Sequence, residues 1–164
     1  MDATVLGQLV DKHAAALVLY ARQWSSAPED VVQEAFLKLV AQRRPPRNVV
    51  PWLFRVVRNQ AVSALRSAQR RRQHETRVAE QQAQCDFTGA PTFLDGEAVT
   101  GALRTLPDEQ REVITLHLWG GLTFVEIAEV IASSASTVHR WYLAGLEQLR
   151  ERLDVPCQNP MKKN

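Results

Sequence analysis

Residues 121–146 read GLTFVEIAEVIASSASTVHRWYLAGL, and the spacing of the apolar residues in this stretch predicts two helices joined by a tight turn. Thr123 and Glu126 stand three residues apart, in the pattern of a capping box that starts a helix. The apolar face of this helix is formed by Phe124, Ile127, Ala128 and Ile131. Ser133-Ser134 ends the helix after about ten residues, and Ser134 can cap the helix that follows.

The second helix is predicted to extend from Ala135 to Leu153, with one buried stripe and a polar beginning. The stripe consists of Ala135, Val138, Tyr142, Leu146, Leu149 and Leu153. The side chains left exposed near its start are Ser136, Thr137, His139, Arg140, and Trp141 or Leu143. This arrangement is typical of a helix-turn-helix, whose second helix enters the major groove of DNA. A plain helical hairpin has the same spacing, but the small Ala128 at the crossing point favours DNA binding.

The charges of the chain are segregated along its length, although the net charge is only +2. Residues 43–77 hold ten arginines and one acid, Glu75, whereas the rest of the chain holds ten basic and seventeen acidic residues. A basic block of this kind is the pattern expected of a surface that binds phosphates. A solvated basic face without a partner is the alternative, and the one-sided composition of the block favours phosphate binding.

The periodicity predicts an all-α fold with two small helical domains joined by a flexible linker. The domains are expected at residues 1–72 and 97–154, each built from short amphipathic helices. Residues 73–96 between them are rich in Glu, Gln, Gly, Pro and Thr, which is typical of a linker. Residues 155–164 are expected to form a tail.

The sequence shows no pattern of a catalytic or metal site. It has no glycine loop for phosphate, no zinc-ligand spacing and no nucleophile with a plausible base. Cys85 and Cys157 lie 72 positions apart, as expected for unpaired cytoplasmic thiols. The apolar run from Ala14 to Ala21 is too short to span a membrane. We therefore expect a cytoplasmic protein that is not an enzyme, with no cofactor, no metal, no small-molecule substrate and no membrane insertion.

Three stretches, in this order and spacing, resemble the extracytoplasmic-function (ECF) group of bacterial sigma factors. Residues 29–39, EDVVQEAFLKL, are similar to the polymerase-binding helix of the second sigma region. Residues 51–59, PWLFRVVRN, with the arginines that follow, resemble the stretch that melts and reads the −10 promoter element. Residues 106–153, which begin LPDEQREV, resemble the fourth sigma region, which reads the −35 element.

The resemblance implies a polymerase-binding face on the second helix. The residues it assigns to this face are Asp30, Gln33, Glu34 and Leu37. They lie opposite Val32, Phe36 and Leu39 on a helical projection, so an acidic and apolar stripe would face solvent. Such a stripe on a basic module suits a positively charged partner helix, whereas ordinary exposed acids near a helix N-terminus are the alternative.

The resemblance also implies two sets of DNA contacts. The residues assigned to the −10 element are Arg47, Asn48, Trp52, Arg55, Arg58, Asn59, Ser63 and Arg66. The residues assigned to the −35 element are Thr123, Ser134, Ser136, Thr137, His139, Arg140 and Trp141. Arginine mixed with aromatic residues fits an unstacked single strand, although Trp52 is equally interpreted as a core residue. The chain departs from the family pattern at Ser63, usually aspartate, and at Ala132, usually glycine.

The function implied is that of a sigma factor, which binds core RNA polymerase and directs it to promoter DNA. An anti-sigma factor is a further expected partner. The alternative is a stand-alone helix-turn-helix regulator that binds DNA as a homodimer, which would leave the first module unexplained. An RNA-binding use of the arginine block is a weaker possibility, because no RNA-binding fold signature accompanies it.

Overall fold

The computed structural model describes residues 2–75 and 101–153, and the regular elements in these ranges are α-helices. The all-α prediction is thereby confirmed for this part of the chain. The predicted linker beyond Glu75 and the predicted tail lie outside the described residues.

The first module consists of α1 (Ala3–Ala21), α2 (Pro28–Val40) and α3 (Val49–Glu75). Pro28 opens α2, where its missing N–H removes no helical hydrogen bond. Glu29 and Asp30 follow in the first turn, where negative charge is favoured by the helix dipole. Helix α3 begins after Pro45-Pro46 and extends to Glu75, past the predicted domain boundary at residue 72.

The second module begins with a helical segment at residues 101–104 and continues with three helices. These are α4 (Asp108–Leu118), α5 (Phe124–Ile131) and α6 (Ala135–Arg152). A local core between α4 and α6 is formed by Ala102, Leu103, Leu106, Ile114 and Leu149. The predicted helix-turn-helix is therefore present, with α5 as its first helix and α6 as its second.

The predicted capping signals of the second module are all formed. Thr123 Oγ1 accepts from the backbone N–H of Glu126 at 3.3 Å, and the Glu126 carboxylate accepts from the Thr123 N–H at 2.9 Å. Ser134 Oγ accepts from the N–H of Thr137 at 3.2 Å and so caps α6. Gly121, in the turn after α4, has a left-handed φ of 66°.

The two modules pack against each other, which the prediction of two domains on a tether did not include. One continuous cluster of buried side chains contains Tyr20, Phe54 and Val57 of the first module and Leu116 and Ile127 of the second. Helix α3 packs along α5, and α1 packs against α4. The approach is close at Gly120, where a Cβ would lie 3.1 Å from the Phe54 ring.

Ala132, between α5 and α6, is the one non-glycine residue with a positive φ among the described residues, at 56°. A left-handed conformation strains any residue with a Cβ, and glycine relieves that strain. We predict that Ala132→Gly raises the free energy of unfolding by about 0.5–1 kcal/mol in urea denaturation. The control Ala15→Gly, in the exposed interior of α1, should lower it by a similar amount. A loss of stability in Ala132→Gly would contradict the prediction.

Candidate nucleic-acid and polymerase interfaces

The start of α6 presents a small exposed surface made of polar side chains. Ser136, His139 and Arg140 are exposed there, one turn apart or less. The hydroxyls of Thr123 and Ser134 are exposed as well, but each is engaged in capping its helix. Thr137 is half-buried and its hydroxyl accepts a hydrogen bond from Ser134 at 2.8 Å. The Ser136 hydroxyl lies 3.0 Å from Ser134 Oγ, so among the exposed side chains of this surface His139 and Arg140 are the ones whose polar groups are not part of the capping network.

The ring of His139 on this surface packs with three rings beneath it, those of His117, Phe124 and Tyr142. His117 stacks on Phe124 with ring centroids 4.7 Å apart, and its Nδ1 lies 2.8 Å from the carbonyl oxygen of Leu122. Phe124 contacts His139 edge-on at 5.1 Å and Tyr142 at 5.2 Å. The packing orients His139 from below and ties α6 to the end of α4. Trp141 is half-buried against the main core.

The four predicted polymerase-binding residues of α2 are all exposed, on the side away from the core. Leu37 is the most prominent of them, because 61% of an apolar side chain faces solvent. Glu34 forms an ion pair with Lys38 at 3.1 Å, at a surface where such a pair contributes little to stability. An exposed leucine flanked by carboxylates is the arrangement that a basic and apolar partner helix would cover.

The residues predicted for the −10 element differ in their surroundings. Those that are exposed are Arg47, Asn48, Arg55, Asn59, Ser63 and Arg66. Trp52 is half-buried and packs against the main core, in agreement with its alternative interpretation as a core residue. Arg55 lies 3.9 Å from the carboxylate of Glu129 in α5. Arg58 is half-buried and points at the second module, where it meets a buried acid.

That acid is Glu112 of α4, which is only 5% exposed. Its Oε1 accepts from Arg58 Nε at 2.7 Å and from the Tyr20 hydroxyl at 2.5 Å. Arg58 Nη2 lies 3.5 Å from Oε2 and completes a forked contact. A buried carboxylate is stable only when its charge and lone pairs are satisfied, and here the first module supplies both partners.

The surroundings of this cluster shift two pKa values. Burial raises the pKa of Tyr20 well above its ordinary value of 10.0, and the neighbouring charge of Glu112 raises it further. Burial by itself would lower the pKa of Arg58, but the hydrogen bond and charge of Glu112 outweigh this and raise it. The neutral phenol and the cationic guanidinium are thus the forms that the packed modules favour.

Sequence reasoning missed Tyr20 and Glu112 as partners. The available signal was Glu112 itself, which stands four residues before Leu116 on an apolar stripe of α4. A charged residue on a buried stripe requires an opposite charge or a donor nearby. Nothing in the local sequence indicates that the donors come from positions 54 and 92 residues away.

Comparison with known families agrees with this architecture. Residues 9–71 match the family described as sigma-70 region 2, and residues 96–149 match sigma-70 region 4. The first match covers most of α1, all of α2 and most of α3, and the second covers α4, α5 and most of α6. The two faces described above thus lie in a region 2 and a region 4 in the order found in sigma factors.

Individual relatives show to which group of sigma factors the chain belongs. ECF RNA polymerase sigma factor SigL of Mycobacterium tuberculosis is 30% identical over 151 residues, which cover 84% of this chain and 82% of the relative. SigK of the same species is 29% identical over 147 residues, with 85% and 79% covered. The chain belongs to the ECF sigma factors. It is a sigma factor that binds core RNA polymerase and directs promoter-specific initiation of transcription.

A solved structure shows the same fold. The sigma factor RpoE from Bartonella quintana, in complex with the anti-sigma factor NepR, superposes with a TM-score of 0.74 at 24% identity. The superposition covers 94% of this chain and all of the other. Within the described residues, no helix has the length and apolarity needed to cross a membrane.

The raised pKa of Tyr20 predicts a pH dependence. Because the folded chain favours the neutral phenol, the stabilising contribution of Tyr20 is present in full below pH 10.0 and is lost as the pH rises towards the raised pKa. At neutral pH, Tyr20→Phe should lower the free energy of unfolding by about 1–3 kcal/mol. We expect this difference from wild type to shrink above pH 10.0 in urea melts. A difference that is constant with pH would contradict the assignment.

Proposed function

We propose that this sigma factor uses three separate surfaces, one on α2, one on α3 and one at the start of α6. The main observation in support is that two exposed surfaces lie on different modules. One is the apolar and acidic stripe of α2, and the other is the polar start of α6. A protein with one exposed face on each module can hold polymerase and a promoter element at the same time. The site of action is the cytoplasm, where core polymerase and promoter DNA are present.

The α2 surface is assigned to core polymerase through Asp30, Gln33, Glu34 and Leu37. Leu37 supplies apolar area that a partner would bury, and the carboxylates select a basic partner and accelerate its approach. An anti-sigma factor that covers the same surface would compete with polymerase. This last partner is supported by the RpoE structure, which contains the anti-sigma factor NepR.

The α3 surface and the loop before it are assigned to the −10 strand. Arginine guanidinium groups neutralise the phosphates, and the polar side chains of Asn48, Asn59 and Ser63 can bond the edges of unstacked bases. No nucleotide hydrolysis is needed in this scheme, because captured bases hold the strands apart.

The start of α6 is assigned to the −35 duplex through Ser136, His139 and Arg140. The other residues predicted for this element, Thr123, Ser134, Thr137 and Trp141, are assigned to the edge of the same surface. Arg140 is the side chain with the geometry for a bidentate contact to guanine. The ring centroids of His139 and Phe124 lie 5.1 Å apart, and this contact restricts the orientation in which the His139 ring faces the groove.

The polymerase surface predicts the effect of a substitution at Leu37. Leu37→Ala removes exposed apolar area without touching the core, so the fold should persist while binding to core polymerase weakens by about 1–2 kcal/mol. The measurement is a titration of labelled core polymerase with the full chain. The matched control is Val5→Ala, which removes exposed apolar area from α1. Equal affinities for Leu37→Ala and wild type would contradict the assignment of α2.

The −35 surface predicts a change of sequence preference. Arg140→Ala should relax the preference at one base pair of the −35 element and weaken binding by about 1–3 kcal/mol. The matched control is Arg150→Ala, an exposed arginine at the far end of the same helix. The measurement is transcription by reconstituted holoenzyme from a library of randomised −35 sequences. An unchanged base preference in Arg140→Ala would contradict the assignment of Arg140 to a base contact.

The homodimeric regulator considered as an alternative predicts tight duplex binding by the free chain and no affinity for core polymerase. The match to region 2 as well as region 4 gives that alternative no support. Co-purification of the intact chain with core polymerase is the direct test of the sigma assignment.

A further inference from the structure

The rings at the −35 surface are linked in a series that runs from α4 to α6. His117, in the last turn of α4, stacks on Phe124 with ring centroids 4.7 Å apart and an interplanar angle of 25°. Phe124 is the first residue of α5 and contacts His139 of α6 edge-to-face at 5.1 Å. A half-buried side chain of α4 is thus connected through one ring to an exposed side chain that is assigned to DNA.

The orientation of the His117 ring is set by a backbone group. Its Nδ1 lies 2.8 Å from the carbonyl oxygen of Leu122, and because a carbonyl oxygen can only accept, Nδ1 carries a proton and donates it. Leu122 is buried and lies in the turn that joins α4 to α5. The hydrogen bond fixes the rotation of the imidazole, and the stacking contact holds its face against Phe124.

The Phe124 ring transmits this orientation to His139. An edge-to-face contact depends on the direction of both rings, so a fixed Phe124 favours one orientation of the His139 imidazole. In a neutral imidazole one nitrogen donates and the other accepts, so a turn of the ring changes which group faces a base edge. Base pairs differ in the donors and acceptors that they present in the major groove. The orientation of His139 should therefore affect which base it selects.

We propose that His117 is a positioning residue for recognition of the −35 element. It fixes the Phe124 ring, Phe124 fixes the orientation of His139, and His139 selects the base. This inference rests on the proposed role of the start of α6. It predicts that a change at His117 alters base preference only at the base pair that His139 contacts.

The test measures base preference with reconstituted holoenzyme that contains the full chain, on a library of randomised −35 sequences. His139→Ala and Arg140→Ala first identify the base pair that each residue selects. His117→Ala should then reduce the preference at the His139 base pair several-fold and leave that at the Arg140 base pair unchanged. A general loosening of α6 would weaken both. The matched control is His13→Ala, which truncates a half-buried histidine of α1 and should change neither preference.

Two further comparisons identify the route of the effect. His117→Ala should add no further loss to His139→Ala, because His117 acts through His139. His117→Phe keeps a ring to stack on Phe124 and loses the hydrogen bond, whereas His117→Asn keeps a donor for the Leu122 carbonyl and loses the ring. His117→Phe should retain more of the preference than His117→Asn. The reverse order would mean that His117 only fastens the turn, and it would overturn the proposal.

An NMR measurement on the free chain tests the positioning step without DNA or polymerase. The His139 ring packs against the Phe124 ring, whose ring current shifts its proton resonances. His117→Ala should move these resonances towards the values of a solvated histidine, and His13→Ala should leave them in place. If circular dichroism shows that His117→Ala is unfolded, His117→Phe and His117→Asn decide by the order given above.

The proposal is overturned if His117→Ala leaves the preference at the His139 base pair unchanged, if it weakens both base pairs equally, or if its effect adds to that of His139→Ala. The proposed function has its own readout in His139→Ala. If that variant leaves every base preference unchanged, the assignment of His139 to the −35 duplex is wrong, and the positioning role of His117 is refuted with it. A changed preference in His139→Ala beside an unchanged one in His117→Ala refutes the positioning role alone.

Discussion

The arrangement of the modules depends on one buried carboxylate. Glu112 lies on α4, yet the groups that make its burial tolerable, the Tyr20 hydroxyl and the Arg58 guanidinium, belong to α1 and α3. Removing one partner of a buried ion pair costs about 3–5 kcal/mol, which is a large part of the stability of a small domain. The pair is therefore better regarded as a device that specifies one docking geometry than as a source of net stability.

The apolar residues around this carboxylate explain why docking and folding are coupled. Phe54 and Leu116 are fully buried in a cluster that belongs to both modules, and Gly120 allows the chain after α4 to approach the Phe54 ring. A larger residue at position 120 would meet the carbonyl oxygen of Leu116, 2.5 Å from its Cβ. The surfaces proposed for polymerase and for the −35 duplex lie outside this shared core, so the packing of the modules leaves them exposed while it covers part of α3.

The helix-turn-helix and the three-helix first module were predictable because their determinants are local. The capping box at Thr123, the cap at Ser134 and the proline at position 28 each act within one helical turn. Exposure of Leu37 and burial of Phe36 likewise follow from helical periodicity alone. The strained Ala132 was also visible in the sequence, as an alanine where the family commonly has glycine, although its conformation was not.

The sequence by itself determined the elements, their order, the charge segregation and the family, because these depend on residues that are close together in the chain or on motifs of fixed spacing. Only the tertiary structure decided that Arg58 faces a carboxylate of the second module and that His139 rests on Phe124. The physical reason is the distance along the sequence between the residues that make contact. A pair such as Tyr20 and Glu112, separated by 92 positions, is created by the docking of helices and leaves no periodic signal in either segment.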